Sequence, residues 1–171
     1  MLGDVGGGQG DVAAGVVVDD VQCAGLADLF DDPPVARSKA PGDWVSDVDT
    51  TSERAVRAVL EEAAPGVPVF GEEEGGERGA LGWLVDPLDG TTNFLHGIPM
   101  FAISIGLERE GQIVAGLVYN PADDAMYVAE KGQGAWGDNR RLRVAARREM
   151  SQSLIGCGVP HLGKAREHPR F

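Results

Sequence analysis

The chain has 171 residues, enough for one domain with a buried core, and it carries 15 Lys and Arg against 27 Asp and Glu, a net charge of −12. Phosphate backbones repel such an excess of acid, which argues against general nucleic-acid binding, whereas surplus carboxylates suit metal cations. The composition is that of a globular protein, and no apolar run approaches the roughly 18 residues of a membrane span. No signal peptide is recognisable in the sequence. The two cysteines, Cys23 and Cys157, suggest neither a zinc site nor a disulfide framework. We therefore expect the protein to reside in the reducing cytoplasm.

Residues 1–34 are interpreted as a Gly-rich tail followed by a weak helix. Gly8, Gly10 and Ala13 have the spacing of a dinucleotide-binding fingerprint, but that motif needs a preceding strand, which the glycine-rich start cannot supply. Chance composition is therefore the better explanation. Val12 to Phe30 mixes apolar and acidic residues and predicts a helix that internal glycines weaken.

A loop and a better-signalled helix are predicted next. Ser38 to Asp43 contain Pro and Gly and predict a flexible loop. Thr50 and Glu53 match a capping box, in which each side chain bonds a main-chain amide of the first helical turn, and an apolar stripe follows them. We therefore predict a helix over about Thr51 to Ala64.

Period-two patterns predict strands in the rest of the chain. Two short apolar segments, Val67–Phe70 and Leu81–Val85, run directly into acidic residues, which is a recurring way of building a site. After these segments, short connections rich in turn residues favour an antiparallel meander. Its predicted strands are Phe101–Glu108, Ile113–Tyr119, Ala125–Glu130, Gly134–Trp136, Leu142–Val144 and Ser153–Val159.

One stretch, DPLDGTTN, carries the most chemical information. Pro87 fixes its own φ and drives Asp86 towards an extended conformation, so the chain must turn at the strand end. That turn presents the carboxylates of Asp86 and Asp89 towards one point. Gly90 lets the backbone approach a ligand closely, and the amides of Gly90 and Thr91 can face an anion. Hard oxygens beside an anion-binding turn suit Mg²⁺ together with phosphate.

Each part of this constellation also has an ordinary structural interpretation. DPLDGTTN consists largely of the commonest turn residues. The acidic run Glu72–Glu74 is typical of a solvated surface, and Asp49, just before a predicted helix, is typical of a helix cap. The functional hypothesis depends on the occurrence of these acidic segments together in one chain.

Four segments carry a family resemblance: Lys39, Gly42–Asp49 (GDWVSDVD), Gly71–Glu73 (GEE) and Asp86–Phe94 (DPLDGTTNF). In this order they closely resemble the inositol monophosphatase family of Mg²⁺-dependent phosphatases. The nine-residue DPLDGTTNF is highly specific, and the resemblance covers about residues 36–159.

The resemblance implies a site for two Mg²⁺ ions. Glu72, Asp86 and the carbonyl of Leu88 would hold one ion, and Asp86 with Asp89 would hold the second. The phosphate-binding residues that it implies are Leu88, Asp89, Gly90 and Thr91.

The resemblance also implies how water is activated. Asp49 accepts a hydrogen bond from the Thr91 hydroxyl, which orients a metal-activated water towards phosphorus, and Glu72 shares the role of proton acceptor. No nucleophilic Ser or Cys is required, because phosphoryl transfer depends on positioning and charge compensation. The acidic side chains expected to converge within coordination reach of Mg²⁺ are those of Asp49, Glu72, Asp86 and Asp89.

The predicted fold is α+β, a layered inositol-monophosphatase-like fold with N-terminal helices packed on a mainly antiparallel sheet. Residues 35–150 are predicted to form the metal-binding phosphatase domain, and residues 151–171 to begin a second domain. A Trp-Asp motif of the family's later half is absent here, so we expect the second domain to be truncated. By resemblance, the full-length enzyme is a homodimer.

The predicted reaction is Mg²⁺-dependent hydrolysis of a phosphate monoester. Thr92 stands where relatives acting on adenosine bisphosphates often have Lys, so the resemblance favours a sugar or cyclitol monophosphate such as inositol 1-phosphate. Fructose bisphosphate and histidinol phosphate are alternatives, and inhibition by lithium is implied. A second hypothesis is a catalytically silent metal-binding fragment or oligomerisation module of the same fold.

Two further features are interpreted as structural. His96 follows the acidic turn, but carboxylates already supply the hard ligands that Mg²⁺ prefers, so we predict a structural hydrogen bond for it. The arginines between residues 140 and 148 are not interleaved with aromatic residues and predict a solvated strand edge.

Overall fold

A computed structural model describes residues 36–40, 43–138 and 140–156, with the course of the main chain alone for residues 36–40 and 43–46. The predicted tail and weak helix of residues 1–34, the fingerprint-like spacing within them and both cysteines lie outside the described residues.

Within the described residues the chain forms nine strands and two α-helices, followed by a single 3₁₀ turn, Met150–Gln152. The helices are α1, Asp47–Ala63, and α2, Thr91–Leu95. The strands are β1 Ala36–Ala40, β2 Asp43–Ser46, β3 Val69–Gly71, β4 Leu81–Asp89, β5 Ala102–Arg109, β6 Gln112–Asn120, β7 Ala125–Glu130, β8 Gly134–Gly137 and β9 Arg140–Leu142.

Seven of these strands form one sheet in the order β3-β4-β5-β6-β7-β8-β9, and β1 pairs with β2 in a separate antiparallel hairpin. β3 runs parallel to β4, and every later neighbour is antiparallel. Sequential order is what short turns permit, because adjacent antiparallel strands need only a tight connection. The predicted antiparallel meander and the α+β class are confirmed.

One face of the sheet carries the core. Alternate residues of a strand point to the same face, so the buried positions follow a period of two along β4 and β5. Helix α1 packs against this face through Val56 and Leu60, which are fully buried. The buried large apolar residues of the sheet are Trp83, Val85, Leu88, Ile103, Ile105, Leu107, Leu117, Tyr119 and Met126.

The opposite face of the sheet borders a groove of about 690 Å³. Small residues, Gly106, Gly116 and Ala129, pair across adjacent strands and form its floor, while Val118 and Tyr127 are partly exposed beside them. The groove also touches two acidic residues, Glu72 and Asp86, at the β3–β4 edge.

Several local predictions were wrong. Strand β4 continues to Asp89 instead of ending at Val85, and β9 is Arg140–Leu142 instead of Leu142–Val144. Residues 38–40 and 43, predicted as part of a loop, belong to the paired strands β1 and β2, because main-chain pairing between the two segments overrides their turn-like composition. Helix α1 begins at Asp47 instead of near Thr51. Residues 153–156 form no strand, and the rest of that predicted strand lies outside the described residues.

Among the described residues, no helix is both long enough and apolar enough to cross a membrane.

Candidate functional site

The parallel pairing of β3 with β4 brings two acidic segments together. Gly71 is the partner of Val85 in the register, and the Glu72 amide donates to the Val85 carbonyl at 3.0 Å. Glu72 and Asp86 therefore follow paired residues at the same end of adjacent parallel strands. Ligand sites in sheets with parallel strands form at this end, where loops leave the strands.

The electrostatics of Asp86 reflect this crowding. Burial, the negative charge of Glu72 and a hydrogen bond with its side chain raise the pKa of Asp86 from 3.8 to about 7. The Leu88 amide, which donates to Asp86 Oδ1 at 3.1 Å, lowers the pKa, and the Asp89 charge adds a smaller upward contribution. A half-buried carboxyl that is crowded by like charges is the electrostatic setting in which a cation binds favourably.

This raised pKa predicts a pH-dependent stability for the metal-free protein. Because the folded state holds the Asp86 proton more tightly than the unfolded chain, the contribution of Asp86 is most favourable below about pH 4 and is lost as the pH rises to about 7. We expect the free energy of unfolding of the wild type, relative to Asp86→Asn, to fall between pH 4 and pH 8 in urea titrations with EDTA. If the difference in the free energy of unfolding between the two proteins did not change with pH, the raised pKa of Asp86 would be contradicted.

The chain turns sharply after β4 at Gly90. This residue has φ 93° and ψ 33°, the left-handed region that favours glycine. A Cβ here would lie 3.0 Å from the Met100 carbonyl oxygen, so both conformation and space require glycine. Helix α2 begins at the next residue, Thr91, as expected for a main chain that turns at DG.

The Thr91 side chain links this turn to α1. Its hydroxyl lies 3.0 Å from Asp49 Oδ1 and 3.1 Å from the Leu88 carbonyl oxygen, two acceptors for its single proton. Asp49 is 2% exposed and lies in the first turn of α1, where the helix dipole favours a negative charge. The predicted hydrogen bond between Thr91 and Asp49 is confirmed, and Asp49 acts as a tertiary acceptor from within the helix.

A second hydrogen bond from α1, to the carbonyl of Pro87 near the end of β4, was not predicted. The buried Ser52 hydroxyl donates to the Pro87 carbonyl at 3.1 Å. Proline cannot donate a main-chain hydrogen bond, but its carbonyl still needs a partner when buried. Ser52 lies one helical turn after Asp49 on the buried side of α1, and this spacing was the available signal.

Glu53 was misassigned as a capping residue. Its carboxylate is fully buried and accepts hydrogen bonds from the amides of Glu73 and Glu74, at 2.7 and 3.2 Å. The helix begins several residues earlier, so Thr50 lies inside it and the side chain of Glu53 serves a tertiary contact instead.

The acidic side chains form a smaller cluster than expected. Glu72 and Asp86 interact directly, whereas Asp49 is engaged with Thr91, and Asp89 is exposed at the end of β4. In the described part of the chain, no group of three or more His, Cys, Asp or Glu side chains is arranged to hold a metal ion. The expectation that four carboxylates converge was therefore wrong for this structure, because tertiary contacts direct Asp49 towards Thr91.

Two structural interpretations agree with the contacts. His96 Nδ1 lies 2.7 Å from the Thr92 carbonyl oxygen, as predicted for a structural hydrogen bond. Arg140 and Arg141 lie on β9, the exposed edge strand of the described sheet, where the Arg141 guanidinium stacks over the Trp136 ring at 5.6 Å.

Comparison with known proteins finds relatives named inositol-1-monophosphatase and relatives named SuhB. The chain is 56% identical over 136 residues to an inositol-1-monophosphatase of Mesorhizobium japonicum, covering 78% of this chain and 51% of that protein. The extragenic suppressor protein suhB of Bartonella henselae superposes with a TM-score of 0.79 at 42% identity, covering 88% of this chain and 61% of that one. SaIMPase-II with bound inositol monophosphate gives a TM-score of 0.67 at 32% identity, covering 84% and 54%.

The chain spans about half the length of the curated relatives that it matches. The family model for inositol monophosphatases matches residues 23–168, which include every site residue described above. The fold, the acidic pair, the glycine turn and this match lead to one conclusion: the chain belongs to the inositol monophosphatase family.

Proposed function

We propose that this chain supplies the metal- and phosphate-binding residues of a Mg²⁺-dependent phosphatase, whose substrate is a sugar or cyclitol monophosphate such as inositol 1-phosphate. The observation that carries the proposal is the position of two features on either side of the Gly90 turn. Asp86, which interacts with Glu72 on the neighbouring strand end, precedes this turn in β4, and Thr91, which bonds Asp49, follows it. The relative's name, inositol-1-monophosphatase, supports the choice of substrate.

The donor atoms fit magnesium. Mg²⁺ takes oxygen ligands and is usually held by one or two carboxylates, with water and substrate phosphate filling the remaining positions, so a pair of acids is sufficient on the protein side. We assign Glu72, Asp86 and the Leu88 carbonyl to one ion, and Asp86 with Asp89 to a second. When bound, Mg²⁺ neutralises the phosphate dianion and makes water a better nucleophile.

Proton transfer is assigned to Asp49, Thr91 and Glu72. The Thr91 hydroxyl donates to Asp49, which leaves the oxygen lone pairs of Thr91 available to accept a hydrogen bond from the attacking water. As water attacks phosphorus, its proton passes to Thr91 while the Thr91 proton moves to Asp49; the bond between phosphorus and the alcohol oxygen breaks, and the alcohol leaves after taking up a proton from solvent. Glu72, which interacts with Asp86, is assigned as the second proton acceptor.

Phosphate binding is assigned to the turn itself. The amides of Gly90 and Thr91 would face the phosphate oxygens, beside Leu88 and Asp89, because the left-handed conformation of Gly90 brings main chain instead of side chain towards the ligand. In SaIMPase-II the bound ligand named in the structure is inositol monophosphate. The same chemistry would be used here on a related monoester.

The proposed organisation places this site in residues 35–150, followed by a second domain that begins near residue 151. We also propose, by resemblance, that the full-length enzyme is a cytoplasmic homodimer. We further propose that lithium inhibits the enzyme, as the family resemblance implies.

The direct test is release of inorganic phosphate from inositol 1-phosphate by the 171-residue chain. We expect release in millimolar MgCl₂, none in EDTA, and inhibition by LiCl, because the reaction needs a divalent cation to neutralise the phosphate. Calorimetry with Mg²⁺ alone is the companion measurement. Mg²⁺ binding without phosphate release would favour a silent metal-binding module over an enzyme, and absence of both would overturn the proposed function.

A further inference from the structure

The turn that carries Glu72 is held by a buried ion pair on α1. Glu53 Oε1 receives hydrogen bonds from Arg57 Nη2 at 2.7 Å and from Arg57 Nε at 3.0 Å, one helical turn away. The same carboxylate accepts the amides of Glu73 and Glu74, the two residues that directly follow Glu72. Four donors therefore satisfy a carboxylate that is 0% exposed.

Arg57 extends the contact to both ends of the turn. Its Nη1 donates to the Val69 carbonyl at 2.9 Å, at the start of β3, and its Nη2 contacts the Gly75 carbonyl. Gly75 in turn accepts the Gly71 amide at 2.9 Å, which closes the turn. The Glu53–Arg57 pair thus bonds the main chain before, within and after the segment that bears Glu72.

Gly71 shows how closely the pair approaches. A Cβ at this position would overlap the Glu53 carboxylate, so only glycine allows the acid to reach the amides of the turn. Arg54 and Glu74 form a separate ion pair on the outside at 2.7 Å, but Arg54 is exposed and such pairs contribute little.

We infer that Glu53, with Arg57, is a positioning residue that fixes the Glu72 carboxylate beside Asp86 for Mg²⁺ binding. The inference rests on the proposed function. A buried charge is expensive unless it is fully paired, and removal of one partner leaves the others unsatisfied, so the pair forces the turn into one conformation. Removal of a residue that orients a metal ligand typically lowers metal affinity by about 10–100-fold.

The experiment is a double-variant cycle on Mg²⁺ affinity, measured by calorimetry on the 171-residue chain well below its unfolding temperature. Glu53→Gln is expected to weaken Mg²⁺ binding by about tenfold or more, as is Glu72→Gln. In the double variant the Glu53→Gln change should add less than about twofold, because its effect passes through Glu72. Glu61→Gln, at an exposed position on the same helix, is the control and should change nothing.

Arg57→Lys is the milder companion if Glu53→Gln fails to fold. It keeps the charge but loses the forked donor, and it should weaken Mg²⁺ binding in the same direction. Unchanged Mg²⁺ affinity in a folded Glu53 or Arg57 variant, or fully additive effects in the cycle, would overturn the positioning role alone. Unchanged affinity in Glu72→Gln would overturn the proposed function at Glu72 and the inference with it.

Discussion

If Asp86 is the shared metal ligand proposed above, Asp86→Asn is expected to reduce Mg²⁺-dependent phosphate release by more than about 100-fold, because such a loss should exceed the 10–100-fold effect of removing an outer partner. The substitution preserves shape, and the Asn side-chain oxygen can still accept the Leu88 amide that Asp86 accepts at 3.1 Å. The loss of phosphate release would therefore result from the missing negative charge at the site and not from a changed main-chain conformation.

Stability measurements separate that loss from unfolding. Asp86 has a pKa of about 7, so at pH 8 it is a carboxylate held against burial and against the charge of Glu72. In EDTA at pH 8 the metal-free variant should thus be at least as stable as the wild type, and added Mg²⁺ should raise the Tm of the wild type only. Asp123→Asn, at an exposed turn residue, is the matched control. Wild-type activity in Asp86→Asn would eliminate this residue as a metal ligand.

Phe94→Ala is expected to lower the free energy of unfolding by about 3–5 kcal/mol. Phe94 is fully buried, and its ring meets Phe101 edge to face, with centroids 5.1 Å apart. The pair joins the short helix α2 to the residue directly before β5, so truncation leaves a cavity and removes an aromatic contact. Because a domain is stabilised by only about 5–15 kcal/mol, this is a large fraction of the total.

The same substitution should also disturb the site. Phe94 lies three residues after Thr91 on the five-residue helix, so loosening the helix weakens the Thr91–Asp49 bond. Urea unfolding measures the stability, with Met100→Ala as the control because the Met100 side chain is 72% exposed. A loss below about 1 kcal/mol for Phe94→Ala would show that this position tolerates a cavity, contrary to its burial.

Much of the strand order was predictable because it depends on local signals. Ala125–Glu130 is a strand with the predicted bounds, and its alternating pattern and flanking turn residues are properties of neighbouring positions. The residue types of DPLDGTTN likewise predict a turn, and in the structure Gly90 of this segment adopts the left-handed conformation. The Thr91–Asp49 bond was expected from family resemblance, since no local pattern relates residues 42 positions apart.

Glu53 illustrates what local patterns miss. Its spacing from Thr50 satisfies a capping box, but the carboxylate instead bonds a turn about 20 residues further along the chain. No period or propensity distinguishes the two outcomes, because both use the same acceptor. The pairing of β1 with β2 was missed for a similar reason, since it depends on main-chain contacts between two segments and the local composition predicts a loop.

By itself, the sequence determined the acidic character of the chain, the alternation that builds the sheet and the glycine turn that follows Asp86 and Asp89. The tertiary structure decided which carboxylates meet. Parallel pairing of β3 with β4 joins Glu72 to Asp86, while packing of α1 turns Asp49 towards Thr91 and buries Glu53 under the neighbouring turn. Hydrophobic alternation is read from adjacent residues, whereas the distance between two carboxylates depends on how separate segments pack, and that information is distributed over the whole core.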